Sequence, residues 1–182
     1  MSGRLRKTVV LVGMMGAGKT AVGTQLARIL GVPFRDSDDE IVAAASMSVA
    51  EIFARDGEAF FRRRESEVLG RLLRGPAGVL STGGGAFLQQ RNRDLIRAYG
   101  VSVWLRADLE LLWLRVRHRH TRPLLQTRDP RATLAQLQAE RTPVYSQADI
   151  VVDAERDLSV DAMARKVLAA LERREDVMEA AR

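Results

Sequence analysis

The chain has no cysteine among its 182 residues. A disulfide framework and a thiolate metal site are therefore excluded. Aromatic residues make up only 5%, leaving few platforms for stacking on nucleic-acid bases. No apolar run approaches the roughly 18 residues that a membrane span requires. The basic start, Met1 to Lys7, is followed by a short strand-like run, Thr8 to Val12. That run is too short for the apolar core of a signal peptide. The two histidines, His118 and His120, sit in a basic segment that reads as a solvated loop rather than a metal pair. These absences leave a cytoplasmic enzyme as the expectation.

What is present is ordinary for a globular protein: 46% hydrophobic and 29% charged residues. The length suits one domain, 1–182, with enough chain to bury a core. The formal net charge is +6, and nearly all basic residues are arginine. A basic chain serves either a nucleic-acid surface or a pocket for small anions. The arginines are scattered and aromatics are few, which favours small anions.

Strand-like and helix-like segments alternate. Strands are expected at Thr8 to Val12, Pro33 to Asp36, Gly78 to Thr82, Val101 to Leu105 and Ile150 to Val152. Thr20 to Leu30 places Val22, Leu26, Ile29 and Leu30 on one helical face. Ser48 to Glu51 matches a capping box whose helix stops near Gly57, and Glu58 to Leu73 continues as a long charged helix. Further helices are expected over Arg93 to Tyr99, Asp108 to Arg117 and Thr133 to Gln147, the last bent or ended by Pro143. Thr121 to Pro130 reads as a mobile loop. A final helix carries Val160, Met163, Val167, Leu168 and Leu171, and 172–182 reads as a fraying tail. The alternation predicts an α/β fold: a central five-stranded parallel sheet between helical layers. Ligands of such sheets bind at the carboxyl ends of the strands.

The motifs fall at those ends. Gly13 to Thr20 reads Gly-Met-Met-Gly-Ala-Gly-Lys-Thr, a P-loop between a strand and a helix. Its glycines let backbone N–H groups turn inward around phosphate oxygens, and the following helix directs its positive end at the same anion. Lys19 would hold the β- and γ-phosphates, and the Thr20 hydroxyl would ligate Mg²⁺. Asp36 and Asp38 follow the second strand. Read as extended chain, they point the same way, one toward a metal shell and one toward an acceptor hydroxyl. Read as a helix start, they are an N-cap and a first turn. Arg62 and Glu65 share a helical face, suited either to a substrate carboxylate or to a plain surface ion pair. Gly83, Gly84 and Gly85 end the third strand and either admit something to the backbone or form a tight turn.

Together with Arg122-Pro123-Leu124-Leu125 and Arg141-x-Pro143-x-Tyr145, these motifs occur in an order and spacing that resemble shikimate kinase, from about residue 8 to 171. The resemblance implies a fold like that of P-loop NTPases and nucleoside monophosphate kinases. It implies substrate-binding helices at about 37–75 and a lid at about 115–130. The implied activity is ATP-dependent, Mg²⁺-assisted phosphorylation of shikimate to shikimate 3-phosphate, on the route to chorismate and aromatic amino acids. Lys19, Asp38 and Arg122 would be catalytic, with Asp38 orienting or deprotonating the accepting hydroxyl. ATP would contact Gly16, Ala17, Gly18, Lys19, Thr20, Ala21, Arg115, Arg122 and Arg156. Shikimate would contact Asp38, Arg62, Gly83, Gly84, Gly85 and Arg141, with Glu65 supporting Arg62. Thr20 would bind Mg²⁺ directly, and Asp36 through water. The expected partners are shikimate and ATP, with no nucleic acid and no membrane, and the expected state is a monomer. A gluconate kinase and a non-catalytic nucleotide-binding module are the alternatives.

Overall fold

The structure is a computed structural model that describes residues 3–119 and 123–179. It contains a five-stranded sheet with helices flanking it. The strands are β1 (Thr8–Val12), β2 (Phe34–Asp36), β3 (Val79–Ser81), β4 (Gly100–Arg106) and β5 (Ile150–Asp153). Their order is β2-β3-β1-β4-β5, and every pairing is parallel. β1 is central and buried along its whole length. A strand covered on both faces needs a continuous apolar run, and Val9, Val10, Leu11 and Val12 supply it.

Seven helices belong to the described residues. They are α1 (Lys19–Leu30), α2 (Ser37–Ala45), α3 (Val49–Arg74), α4 (Gln90–Tyr99), α5 (Leu109–Val116), α6 (Pro130–Tyr145) and α7 (Val160–Leu171). Short 3₁₀ turns lie at Ala86–Leu88 and Pro123–Leu125. α1 packs against α7, and α3 packs against α2 and α4. The main core joins the sheet to these helices, and Ile41, Ile52, Phe61 and Val68 form a smaller core between α2 and α3.

Several sequence expectations need correction. The segment after β2 is not extended: Asp36 is the N-cap of α2, and its carboxylate accepts from the N–H groups of Asp38 and Asp39. This is the helix-start alternative, favoured because an aspartate satisfies the orphan donors of the first turn. The break expected at Gly57 is present, with that residue non-helical at φ 83° and ψ 169°, although the helices on either side are numbered together as α3. α6 begins at Pro130 rather than Thr133, because Asp129 caps it and proline suits the first helical turn. Pro143 lies within the last turn of α6 and does not end it. Val160 is exposed rather than on the buried face of α7. The tail does not fray over its described residues. Met178 bridges to Leu5, and Val177 and Met178 are buried. Two apolar residues in a polar segment were enough to dock it.

Candidate active site

The site lies at the carboxyl ends of β1, β2 and β3. After β1 the chain enters the P-loop, where Gly16 and Gly18 adopt φ of 83° and 95°. A side chain would be strained there, so both positions require glycine. Gly18 also serves as the N-cap of α1, aiming that helix's free N–H groups at the loop. Lys19 Nζ donates to the carbonyls of Gly13 and Met14, at 2.7 and 3.0 Å. The lysine thus lies back along the loop it belongs to. Thr20 and Ala21 sit exposed in the first turn of α1. Met14 and Met15 are buried beneath the loop. Arg115, on α5, donates from Nη1 to the Gly16 carbonyl at 3.0 Å. Its guanidinium therefore braces the P-loop, and burial lowers its pKa.

The three glycines after β3 meet three side chains from three different helices. A Cβ on Gly83 would lie 2.9 Å from both carboxylate oxygens of Asp38, from α2. A Cβ on Gly84 would lie 3.0 Å from Arg141 Nη1, from α6. A Cβ on Gly85 would lie 2.5 and 2.7 Å from the terminal nitrogens of Arg62, from α3. None of the three glycines has positive φ. They are needed for close approach, not for an unusual backbone.

Arg62 Nη1 donates to Glu65 Oε1 at 2.9 Å, while its Nε is 3.6 Å from Glu58 Oε1. Glu65 is only 1% exposed, so this pair is not a surface ornament. Two guanidinium nitrogens at the site, Arg62 Nε and Arg141 Nη1, are buried without a hydrogen-bond partner among the described residues. A buried donor left unpaired costs on the order of 1–3 kcal/mol, more for a charged group. Such donors mark a place where an acceptor is expected.

The acidic groups share one electrostatic pattern. Burial pushes the Asp38 carboxyl above its ordinary range, and neighbouring Asp36 pushes the same way, while Arg62 opposes both. Burial also raises Asp36, which Lys19 and the α2 backbone hydrogen bonds counter. Burial raises Glu65 against the pull of Arg62. The Asp38 carboxylate thus sits among like and unlike charges, a setting that suits a proton acceptor.

Among the expected site residues, the structure brings together Gly16, Ala17, Gly18 and Lys19 in one loop. It brings Asp38, Arg62, Glu65, Gly83, Gly84, Gly85 and Arg141 together in one cluster around the glycine turn. Asp36 faces Lys19 electrostatically. Arg156 is exposed in the loop after β5 and has no contact with the P-loop among the described hydrogen bonds and ion pairs. Arg122 lies outside the described residues, as do His120 and Thr121. Trp104 is part of the core, and Trp113 packs against it. Asn92 had no role in the sequence reading. It is fully buried, receives a hydrogen bond from Ser66 of α3 and donates to the Ala86 carbonyl. A lone asparagine carries no sequence signal for such a bridge.

The chain is similar to known proteins in sequence and fold. The shikimate kinase family model matches residues 15–172. A shikimate kinase of Ruegeria pomeroyi is 63% identical over 175 residues, covering 96% of this chain and 90% of the relative. One from Cereibacter sphaeroides is 62% identical over 176 residues, covering 97% and 88%. Among solved structures, shikimate kinase from Acinetobacter baumannii in complex with shikimate superposes with a TM-score of 0.86 at 38% identity, covering 92% of this chain and 94% of that one. A gluconokinase from Sinorhizobium meliloti shares the fold at a TM-score of 0.62 and 22% identity. With a phosphate loop, two arginines that each keep one buried nitrogen without a hydrogen bond, and a carboxylate beside them at the carboxyl ends of the strands, the chain belongs to the shikimate kinase family.

Proposed function

We propose that the pocket between the P-loop and the Gly83 to Gly85 turn is where this chain phosphorylates shikimate with ATP. The observation that carries the assignment is the pair of buried nitrogens, Arg62 Nε and Arg141 Nη1, that lack a hydrogen bond among the described residues. Both guanidiniums lie against the glycine turn, and each presents a donor to a carboxylate on the acceptor. Glu65 keeps the Arg62 fork in place. The Gly84 N–H is assigned to the bound acceptor.

Asp38 orients the 3-hydroxyl and accepts its proton. The acceptor oxygen forms a bond to the γ-phosphorus of ATP, the bond from that phosphorus to the β-bridging oxygen breaks, and ADP leaves. Phosphoryl transfer asks the protein for positioning and charge, not for covalent chemistry. Lys19 swings from the loop carbonyls to the β- and γ-phosphates. Arg122 is assigned to the transferring phosphate by its sequence motif. Arg115 and Arg156 are assigned to the nucleotide base side.

Thr20 and Asp36 are hard oxygen donors beside the phosphate loop, and their chemistry fits Mg²⁺, which favours such donors together with substrate phosphates. When bound, the ion would neutralise charge on the β- and γ-phosphate oxygens. We read the chain as one kinase domain over 1–182, acting as a cytoplasmic monomer, with helices at about 37–75 and a lid at about 115–130 closing over the substrates.

The test is ADP release with ATP and Mg²⁺ in the presence of shikimate, of gluconate, or of neither. Release that depends on shikimate supports the assignment. Release with gluconate alone moves the acceptor. Folded, ATP-binding protein that releases no ADP with either acceptor removes the kinase reading of the pocket.

A further inference from the structure

The glycine turn raises a question of rigidity. Three successive glycines form the most freely rotating backbone a chain can have, yet two arginines and an aspartate take their positions against this one. Its carbonyls show how it is held. The Gly83 carbonyl accepts from the Ala86 N–H at 3.1 Å, and the Gly85 carbonyl accepts from the Leu88 N–H at 3.2 Å. Both of these bonds come from the local turn. The middle carbonyl, that of Gly84, accepts instead from the hydroxyl of Tyr145 at 2.8 Å, across the fold from α6.

Packing holds Tyr145 where it can make that bond. It is 1% exposed, with its ring centred 5.9 Å from Trp104 and 6.5 Å from Phe87. The ring is locked by packing, so the hydroxyl is held at the turn. The carbonyl of Gly84 belongs to the same peptide plane as the N–H of Gly85. Holding the one fixes the other, and Gly85 is the residue against which Arg62 lies. Arg141 is four residues before Tyr145, on the same face of α6, and its guanidinium lies beside the same hydroxyl. One hydroxyl therefore sets the turn between both arginines.

We infer that Tyr145 is a positioning residue for the acceptor: its hydroxyl holds the glycine turn and, through it, the spacing of Arg62 and Arg141. The inference rests on the reading of those two arginines as the carboxylate clamp. Tyr145 is 1% exposed and reaches the site through the Gly84 carbonyl, so its effect belongs to acceptor binding.

The test uses the full chain with Tyr145→Phe, which removes the oxygen and keeps the ring. The Michaelis constant for shikimate should rise about three- to tenfold, the range expected from one lost hydrogen bond. That for ATP should stay within about twofold, the variation ordinarily left by a change remote from the nucleotide. Leu134→Val is the control, since it loosens α6 from a fully buried position about two turns before Arg141. It should lower the melting temperature and leave the shikimate constant at the wild-type value. An unchanged shikimate constant in Tyr145→Phe overturns the inference. So does an equal rise for both substrates, or the same rise in Leu134→Val. Arg141→Ala, measured in parallel, separates the two readings. If it loses shikimate affinity and Tyr145→Phe does not, the strut is wrong and the clamp stands. If neither loses it, the clamp is wrong too.

Discussion

Arg62 and Glu65 form a 2.9 Å ion pair in which the carboxylate is almost wholly buried and the guanidinium is partly open to the pocket. The asymmetry has a consequence. Arg62→Ala leaves Glu65 buried without its main counter-charge. Its pKa, already raised by burial, rises further because Arg62 was holding it down. A carboxyl raised in the folded state costs nothing below its unfolded pKa and costs more as pH rises through the folded one. Arg62→Ala should therefore be destabilised by about 3 kcal/mol near neutral pH, the lower end for a broken buried pair. Much of that loss should return at mildly acidic pH. Denaturant unfolding at two pH values checks this, and a loss independent of pH contradicts it.

Gly85→Ala tests the close approach at the turn. The added Cβ falls 2.5 Å from an Arg62 nitrogen. The backbone there is at φ −92°, which alanine accepts readily. The fold should survive and the guanidinium should move. Shikimate affinity should fall roughly tenfold or more, the scale of a displaced positioning contact. ATP affinity should be retained. Steady-state kinetics in each substrate gives the answer.

The pH profile should report Asp38. Its carboxyl is raised chiefly by burial, then by Asp36, with exposed Asp39 adding to the same side. A base with a raised pKa stays protonated to higher pH, so the acid limb of kcat/KM for shikimate should lie above that of an exposed carboxylate. Asp39→Asn removes one of the charges that raise it, and the limb should move to lower pH. A limb that stays fixed or moves upward contradicts this assignment.

The docked tail makes a separate prediction about stability. Val177 and Met178 are buried against the N-terminal segment, and Asp176 pairs with Lys7 and Arg174. Removing everything after Glu172 should cost about 3–5 kcal/mol from the two lost apolar side chains. The Michaelis constants should be unchanged, because the tail touches neither half of the site. Thermal unfolding and kinetics on the shortened chain measure both.

The sequence was most legible where function and local chemistry coincide. The P-loop needs glycine at fixed spacing, so Gly16, Gly18 and Lys19 could be read directly. Arg62 and Glu65 share a face by helical geometry alone, although only the fold shows that Glu65 is buried. The five strands were legible from their apolar runs, but their order was not. Pairing β3 between β1 and β2 is a choice made by tertiary packing. Asp36 and Asp38 stayed open between extended chain and helix start, since an aspartate at a strand end and an aspartate at a helix cap look alike, and the fold chose the cap. The union of Asp38, Arg141 and Arg62 at three consecutive glycines was legible only through the family resemblance, not from local chemistry. Those side chains come from helices far apart in sequence, and no local pattern records where they meet.

The most direct test of the carboxylate clamp compares shikimate with its uncharged carboxamide as acceptors. The ratio of their kcat/KM values would be measured in the native chain, in Arg62→Ala and in Arg141→Ala. The clamp predicts that the native enzyme prefers the carboxylate by about a hundredfold, the worth of charge-assisted hydrogen bonds in a buried site. That preference should collapse toward unity in each variant. A preference that survives both substitutions at its native size would contradict the assignment of Arg62 and Arg141 to the acceptor's carboxylate.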